Sequence, residues 1–438
     1  WLSTTAQAAA RGMQFLILGW LVLVLTDSSS QLGLVVFLYG VPNLAFVLFG
    51  GIIADRIDRR KMLIGTQAAV SAIIFILATL MVTDSIVIWH LYAATLLLGT
   101  LQAINMPARM AIVSDLVERD DLMNAVVLNS AVMNSGRILG PALAGGLIEL
   151  YGIGVALYVN AFCYLISVVS LVVVRHVSAI RPGRKTSILG DLFEGLRFYW
   201  KTPAVFTMIT IGFAMGFFGM PYVQILPAFA KDVLGAGAGE AGLLITGAGV
   251  GSLVGTVILA SLGDSPHKNR VLLISIFGFG VSLLVFAWTQ WFWATWLTLL
   301  FVGMGTSMIP MITTILQLTV PTEFQGRVLS LWYLSAGLMF VGALPMAMVA
   351  DAVSWPIAIT GGADDDRFLR CATLGQVIAA MEVHPHGLVV AATVGEVCSG
   401  VHEDDVTWFD VRRLPETCTP PVECLHDSRI CGFFLVAL

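Results

Sequence analysis

The stretch GIIADRIDRRK, residues 51–61, separates two long apolar segments and decides how the whole chain is interpreted. It contains two acidic and four basic residues, whereas its flanks at 31–54 and 62–83 are almost entirely apolar. About 20 apolar residues in a helix cross the ~30 Å hydrocarbon core of a bilayer. Two such segments joined by a short basic loop predict a membrane protein.

The composition of the chain supports this prediction. Hydrophobic residues make up 58% of the 438 residues, charged residues make up 12%, and the mean hydropathy is +0.89. About a quarter of an ordinary soluble domain is charged. A chain this apolar cannot cover a water-facing surface, so an ordinary soluble enzyme or nucleic-acid-binding module is excluded.

Eleven segments are long and apolar enough to span a bilayer. They run at 1–26, 31–54, 62–83, 86–108, 123–148, 153–174, 204–228, 240–262, 271–289, 291–318 and 327–350. A twelfth begins at Trp355 but meets Asp364 after nine residues, which are too few to cross. The prediction is an all-α membrane protein whose twelfth helix is incomplete.

Basic residues predict the orientation of these spans. The connections after even-numbered spans hold 15 Lys and Arg residues, whereas those after odd-numbered spans hold only Lys231. Short basic loops stay in the cytoplasm. We therefore expect a multi-pass protein of the bacterial inner membrane with a cytoplasmic N-terminus.

The long basic segment 175–203 predicts a cytoplasmic linker between two halves, residues 1–174 and 204–363. Part of it, 187–200, has apolar residues at helical spacing and either lies along the membrane surface or forms a solvated helix. The halves show a repeat, which predicts two parallel six-helix units around a central cavity. Its matches are Pro107 with Pro310, Val117 with Val320, Pro141 with Pro345, and Asp55, Arg59 and Lys61 with Asp264, Lys268 and Arg270.

The last segment, 364–438, differs in kind. It holds 5 basic and 12 acidic residues and five of the six cysteines, whereas residues 1–363 hold 18 basic and 16 acidic residues. A zinc site is disfavoured because paired CxxC spacings are absent. A shifted reading frame and an appended domain both stay open, with a native chain expected to continue from Gly362 as an apolar helix. Because the chain begins at Trp1, we also expect a native N-terminus further upstream.

Residues 51–61 resemble the loop between the second and third helices of major facilitator superfamily transporters. The resemblance implies that Gly51, Asp55, Arg56, Arg59 and Arg60 brace a gate. Asp55 and Arg59 would share a face if they lie on one helical turn. The alternative, anchoring by positive charge alone, explains the arginines but not Gly51 and Asp55.

Two further stretches resemble the same superfamily. GRILGPALAGG (136–146) is similar to its antiporter motif, represented by Gly136, Gly140, Pro141 and Gly145, although ordinary small-residue packing would also use these residues. NMPARMAIVSDLVERDDLMNAVVLNS (105–130) is similar to a subgroup that includes the enterobactin exporter and other secretion-type permeases. The resemblance covers residues 1–363.

Ionisable residues inside spans are candidates for the transport pathway. Arg11 and Arg137 lie deep in the first and fifth spans, whereas acidic residues lie near span ends. An electropositive cavity favours an anionic substrate, and the alternative is that the arginines bond backbone carbonyls. The cavity candidates are Arg11, Gln14, Asn105, Arg109 and Arg137.

The sequence thus favours a secondary active exporter of a siderophore-like, anionic or drug-like small molecule, working by alternating access. The resemblance implies protons as the coupling ion and no cofactor, and we expect lipid contact, no metal, no nucleic acid and a monomer. A membrane sensor with the transporter fold is the alternative. A membrane enzyme is disfavoured because His90, His176 and His267 are far apart in sequence.

Overall fold

The computed structural model describes residues 2–56, 58–116, 121–173, 199–200, 202–261 and 268–360. The chain divides into two compact units, Trp1–Gly362 and Ala363–Leu438. The second unit and the segment 174–198 lie outside the described residues, so the expectations for the tail and for most of the linker stay predictions.

The first half contains six long helices. They are α1 (Leu2–Thr26), α2 (Ser29–Arg56), α3 (Arg59–Val82), α4 (Ile88–Leu116), α5 (Leu122–Tyr151) and α6 (Ile153–Val173).

The second half shows the same up-and-down path with two interrupted spans. Its helices are α7 (Pro203–Ala214), α8 (Tyr222–Leu234), α9 (Ala238–Ser261), α10 (Lys268–Ala287), α11 (Phe292–Gly305), α12 (Met308–Thr319), α13 (Thr322–Ala352) and α14 (Trp355–Thr360). A π-helical turn, Met215–Gly219, joins α7 to α8, and a short break joins α11 to α12.

Several of these helices satisfy the requirements of a membrane span by length and composition. Within the described residues, eight segments do so. They are Leu2–Thr26, Arg59–Val82, Ile153–Val173, Val205–Leu234, Ala238–Ser261, Arg270–Ala287, Phe292–Thr319 and Val328–Ala352. The prediction of an all-α, multi-pass membrane protein is confirmed.

Local sequence signals set the helix ends. Gly235 follows α8 with φ of +59°, a left-handed conformation that glycine adopts without steric cost. The next amide, Ala236 N, then bonds Ala230 O at 2.9 Å, which satisfies a carbonyl that the helix leaves open. The chain therefore turns sharply between α8 and α9.

Helix pairs recur in the two halves, as the internal repeat predicts. In the first half α1 packs on α5 and α2 on α4, and in the second half the π-helical turn packs on α13 and α9 on α11. The halves meet along two helix pairs, α2 with α13 and α5 with α9. This arrangement of two related helical halves is the predicted fold.

The bundle has two ends, which we name by their residues. The basic end is the one where α2 ends and α3 begins, at 56–59, and the opposite end is the one where α1 ends and α2 begins, at 26–29. Within each half, short connections join successive spans, which run alternately between these two ends.

Candidate functional site

The loop at 56–61 separates two helices in the structure. α2 ends at Arg56 and α3 begins at Arg59, so Asp55 and Arg59 lie on different helices and the condition for a shared helical face is not met. Asp58 produces the break, because its carboxylate accepts hydrogen bonds from Arg60 N at 2.9 Å and Lys61 N at 3.2 Å. A side chain that caps the first amides of a helix fixes where that helix starts.

Arg60 ties this loop to a neighbouring helix. Its Nε donates to Leu171 O at 2.9 Å and its Nη2 donates to Val172 O at 2.7 Å. These carbonyls belong to the last turn of α6, where backbone acceptors have no helical partner and the helix dipole favours a cation. Arg60 therefore joins α3 to α6 within the first half.

The remaining predicted gate residues are described only in part. Gly51, Asp55 and Arg56 lie on the last turns of α2, and the surroundings of their side chains are outside the described residues. Arg59 is the first residue of α3 and has an interaction partner. Their role as a gate stays a prediction.

The antiporter-like motif forms two packing surfaces on α5. A Cβ atom on Gly140 would lie 2.6 Å from the backbone of Gly12 in α1, and one on Gly136 would collide with Ala8 O. On another face of α5, a Cβ on Gly145 would collide with Ala238 O of α9 in the second half. The motif therefore brings α5 into backbone contact with both halves, as small residues do in membrane helices.

A third face of α5 lies between these two surfaces and points to the centre of the bundle. Residues 130, 134, 137, 141 and 148 fall within about 60° of one another around the helix, given 100° per residue. Pro141 and Ile148, toward the opposite end, are buried, whereas Ser130, Asn134 and Arg137, toward the basic end, are exposed. This face of α5 is therefore exposed at the basic end and buried at the opposite end, and we name the exposed part, Ser130, Asn134 and Arg137, the vestibule.

Three arginines are linked electrostatically in this region. The charge of Arg11 on α1 acts on both Arg109 of α4 and Arg137 of α5. Arg11 has two neighbours. Its Nη1 lies 4.0 Å from Met106 Sδ. When the amide of Gln102 is oriented with Oε1 facing Arg11, this oxygen accepts from Nη1 at 3.0 Å. All three cations were cavity candidates in the sequence, and their role in transport stays a prediction.

Arg109 differs from Arg11 in its surroundings. Both of its terminal nitrogens, Nη1 and Nη2, are buried and have no hydrogen-bond partner in the described part of the chain. A buried cation without an acceptor is costly. Among the described residues, the guanidinium of Arg109 therefore lacks an acceptor of the kind that an anion supplies.

The other two cavity candidates lie inside the first half. Gln14 Oε1 accepts a hydrogen bond from Tyr164 Oη at 2.7 Å. Asn105 Oδ1 accepts from Gln7 Nε2 at 3.1 Å, and Asn105 Nδ2 donates to Thr66 Oγ1 at 2.8 Å. Both residues line a small cavity of about 10 Å³, room for about one water molecule. These bonds join α1 to α6 and α4 to α1 and α3, and the role of Gln14 and Asn105 in the transport pathway stays a prediction.

Three aromatic rings from the two halves pack together at the level of Phe15, which lies one helical turn after Arg11 on α1. Phe15 of α1 and Tyr39 of α2 lie with ring centroids 6.2 and 5.5 Å from that of Phe340 on α13. Gly40 allows this approach, because a Cβ there would collide with the Phe340 side chain. These rings join the two halves on the side of Arg11 that faces the opposite end.

Sequence reasoning missed a cluster of polar contacts at the opposite end. Lys231, Asp232 and Asp351 of the second half all bond the short connection between α1 and α2. No local pattern predicts these contacts, since their partners are more than two hundred residues away in sequence.

Two related helical halves with a charged space between them define a secondary transporter of the major facilitator type. The chain belongs to the transmembrane secretion effector family of this superfamily, whose model matches residues 1–380. The match passes Ala363, where the sequence resemblance was expected to end. The predicted superfamily is confirmed.

Curated relatives support the same assignment. The chain is 26% identical to a staphyloferrin A transporter of Staphylococcus aureus over 76% of this chain and 84% of the relative. It is 26% identical to the multidrug efflux pump Tap of Mycolicibacterium fortuitum, covering 81% and 91%. It is 25% identical to the enterobactin exporter EntS of Shigella boydii, covering 70% and 74%.

Solved structures share the fold. A crystal structure of the nucleoside transporter NupG, in a point-mutant form, superposes with a TM-score of 0.68 at 13% identity, covering 85% of this chain and 98% of that one. At this identity the likeness concerns the fold alone. Family and relatives together identify the chain as an exporter of small molecules, which favours transport over the sensor and enzyme alternatives.

Proposed function

We propose that this exporter moves an anionic, siderophore-like small molecule, taking it up through the vestibule. The proposal is carried by the guanidinium of Arg109, whose Nη1 and Nη2 have no hydrogen-bond partner among the described residues, and by Arg11, whose charge acts on both Arg109 and Arg137. A carboxylate or similar anion would supply the acceptors that these cations need, and charge-assisted hydrogen bonds are stronger than neutral ones. The staphyloferrin A transporter and the enterobactin exporter among the relatives are in keeping with this class. An uncharged drug-like substrate is the second candidate because Tap is a multidrug efflux pump.

The proposal includes an orientation. The basic end would face the cytoplasm of a bacterial cell, with the N-terminus on that side of the inner membrane, since short basic loops stay inside. The vestibule would then collect substrate from the cytoplasm. The loop residues Gly51, Asp55, Arg56, Arg59 and Arg60 would belong to the gate that closes the basic end after loading.

The proposal also includes the energetics and the assembly. Entry of protons would drive export, in line with the antiporter-like motif at Gly136, Gly140, Pro141 and Gly145. The residue that carries the proton is not assigned. A single chain would be the working unit, because the vestibule lies between two halves of one chain.

A transport assay with matched probes tests the substrate class. The purified full-length protein is reconstituted in liposomes, and movement of an anionic aromatic dye is compared with that of its neutral ester. Faster, saturable transport of the anion supports the proposal. Equal or preferential transport of the neutral ester would overturn the anionic class and favour the drug-like candidate.

A further inference from the structure

Residues 27–30, which are the connection between α1 and α2 together with the first two residues of α2, are held by three charged residues of the other half. Lys231 forms a salt bridge of 2.5 Å with Asp27. Asp232 Oδ2 accepts from Ser29 Oγ at 2.8 Å. Asp351 bonds the same connection through both carboxylate oxygens. One short segment of the first half is thus bound from α8 and from α13.

Asp351 caps the start of α2 from outside. Its carboxylate accepts from Ser28 Oγ at 2.9 Å, Ser29 N at 3.1 Å and Ser30 N at 2.7 Å. The first amides of a helix have no partner within the helix, and its N-terminus favours a negative charge. Such a cap is normally supplied by a residue adjacent in sequence, whereas here it comes from α13.

Lys231 completes the end of α1 in the same way. Its Nζ donates to Leu23 O at 2.9 Å, a carbonyl in the last turn of α1, where a cation is favoured. Asp27 has φ of +50°, a left-handed conformation that costs energy in a residue with a side chain. The salt bridge to Lys231 holds Asp27 in that position.

We propose that Lys231, Asp232 and Asp351 form a latch that keeps the opposite end closed, and that its release opens the exporter on that side. The proposal rests on alternating access, because the halves must part at the opposite end for substrate to leave. Parting separates α8 and α13 from the connection at 27–30. The N-terminus of α2 and the C-terminus of α1 then lose the caps that the second half provides.

Ser28 makes the latch reversible. Its Oγ donates to Asp351 and also lies 3.4 Å from Gln31 N, where it accepts a weak hydrogen bond. A serine just before a helix is a favoured N-cap. When Asp351 withdraws, Ser28 caps α2 from within its own chain segment. The start of α2 therefore has two capped states, one for the closed end and one for the open end.

Hydrogen–deuterium exchange of the full-length protein in lipid nanodiscs tests this latch without needing a substrate. Asp351→Ala and Lys231→Met are compared with the unchanged protein. In Asp351→Ala we expect the amides of Ser29 and Ser30, which lose their acceptor, to exchange about tenfold faster, whereas Gln31 N keeps its bond to Ser28. We also expect slower exchange in the part of α5 that lines the vestibule, 127–137, because the basic end closes as the opposite end opens.

Glu240→Ala is the matched control. Glu240 is acidic, lies at the same end and bonds a backbone amide, Gly237 N at 3.0 Å, but that amide belongs to its own half. This variant should change exchange only near 237–240. Asp351→Asn should restore part of the closed state, since asparagine also caps helices.

Two results would overturn the latch. The first is faster exchange confined to 28–32 in Asp351→Ala, with no change in α5, since that is local fraying. The second is a response of α5 to Glu240→Ala equal to that of the latch variants. Neither result bears on which substrate is carried, so failure of the latch would be distinct from failure of the proposed function.

Discussion

Lys231 and Asp27 form a salt bridge, and they are 204 positions apart, the same separation as Pro141 and Pro345 of the internal repeat. Equivalent residues of two related halves can touch only near the axis that relates the halves. Ser29 and Asp232, 203 apart, make the adjacent contact. The contacts at the opposite end therefore lie close to the central axis of the bundle, where α1 and α8 meet.

The first prediction concerns the charge of Arg137. Arg137→Gln should slow transport of an anionic probe by roughly 10- to 100-fold, since a hydrogen bond to a charged group contributes about 1.5–3 kcal/mol. Transport of the neutral ester in the same liposomes should change little, and Arg137→Lys should keep part of the anion preference. Equal losses for both probes would show that Arg137 acts on the fold instead.

The second prediction concerns the cap of α3. Asp58→Ala should lower the free energy of unfolding by about 1 kcal/mol, because Arg60 N and Lys61 N lose their acceptor. Thermal unfolding in detergent measures the effect. Asp58→Ser is the control, since serine also caps helices and should keep most of the stability. A neutral Asp58→Ala variant would contradict the capping role.

The third prediction separates two glycines of α5 that differ in their surroundings. Gly140→Ala should reduce the yield of folded protein, because the added methyl group would lie 2.6 Å from the backbone of Gly12. Gly146→Ala should be neutral or stabilising, since a Cβ there meets nothing within 4 Å and alanine favours helix. Size-exclusion chromatography of both variants checks this, and equal behaviour would refute it.

The fourth prediction concerns contact between the halves. Gly145→Ala places a methyl group against Ala238 O of α9, so it should disfavour closure of the opposite end without disturbing α1 and α5. We expect normal yield but slower transport, together with slower exchange of the α5 amides at 127–137. Faster exchange at those amides would mean that the contact favours the other state.

The spans were predictable from the sequence because each is a continuous apolar run. The break between α11 and α12 also has a local cause in the sequence, because Pro310 has no N–H to bond the carbonyl of Thr306 four residues earlier. It was missed because the run 291–318 is otherwise apolar enough to be taken as one span. The cap at Asp58 carries a local signal, because an Asp placed just before a helix is a favoured N-cap. Long-range partners such as Asp351 and Ser30 have no local signature, since side chains 321 positions apart meet only in the folded bundle.

The two hydrogen bonds from Arg60 to the end of α6 have a consequence for biosynthesis. Arg60 is made 111 residues before Leu171, so α3 must enter the membrane long before its partner exists. Until α6 is translated, the guanidinium at the start of α3 has only water, lipid head groups or the insertion machinery to bind. The first half therefore reaches its final packing only when its sixth helix arrives, which sets the order of assembly at the ribosome.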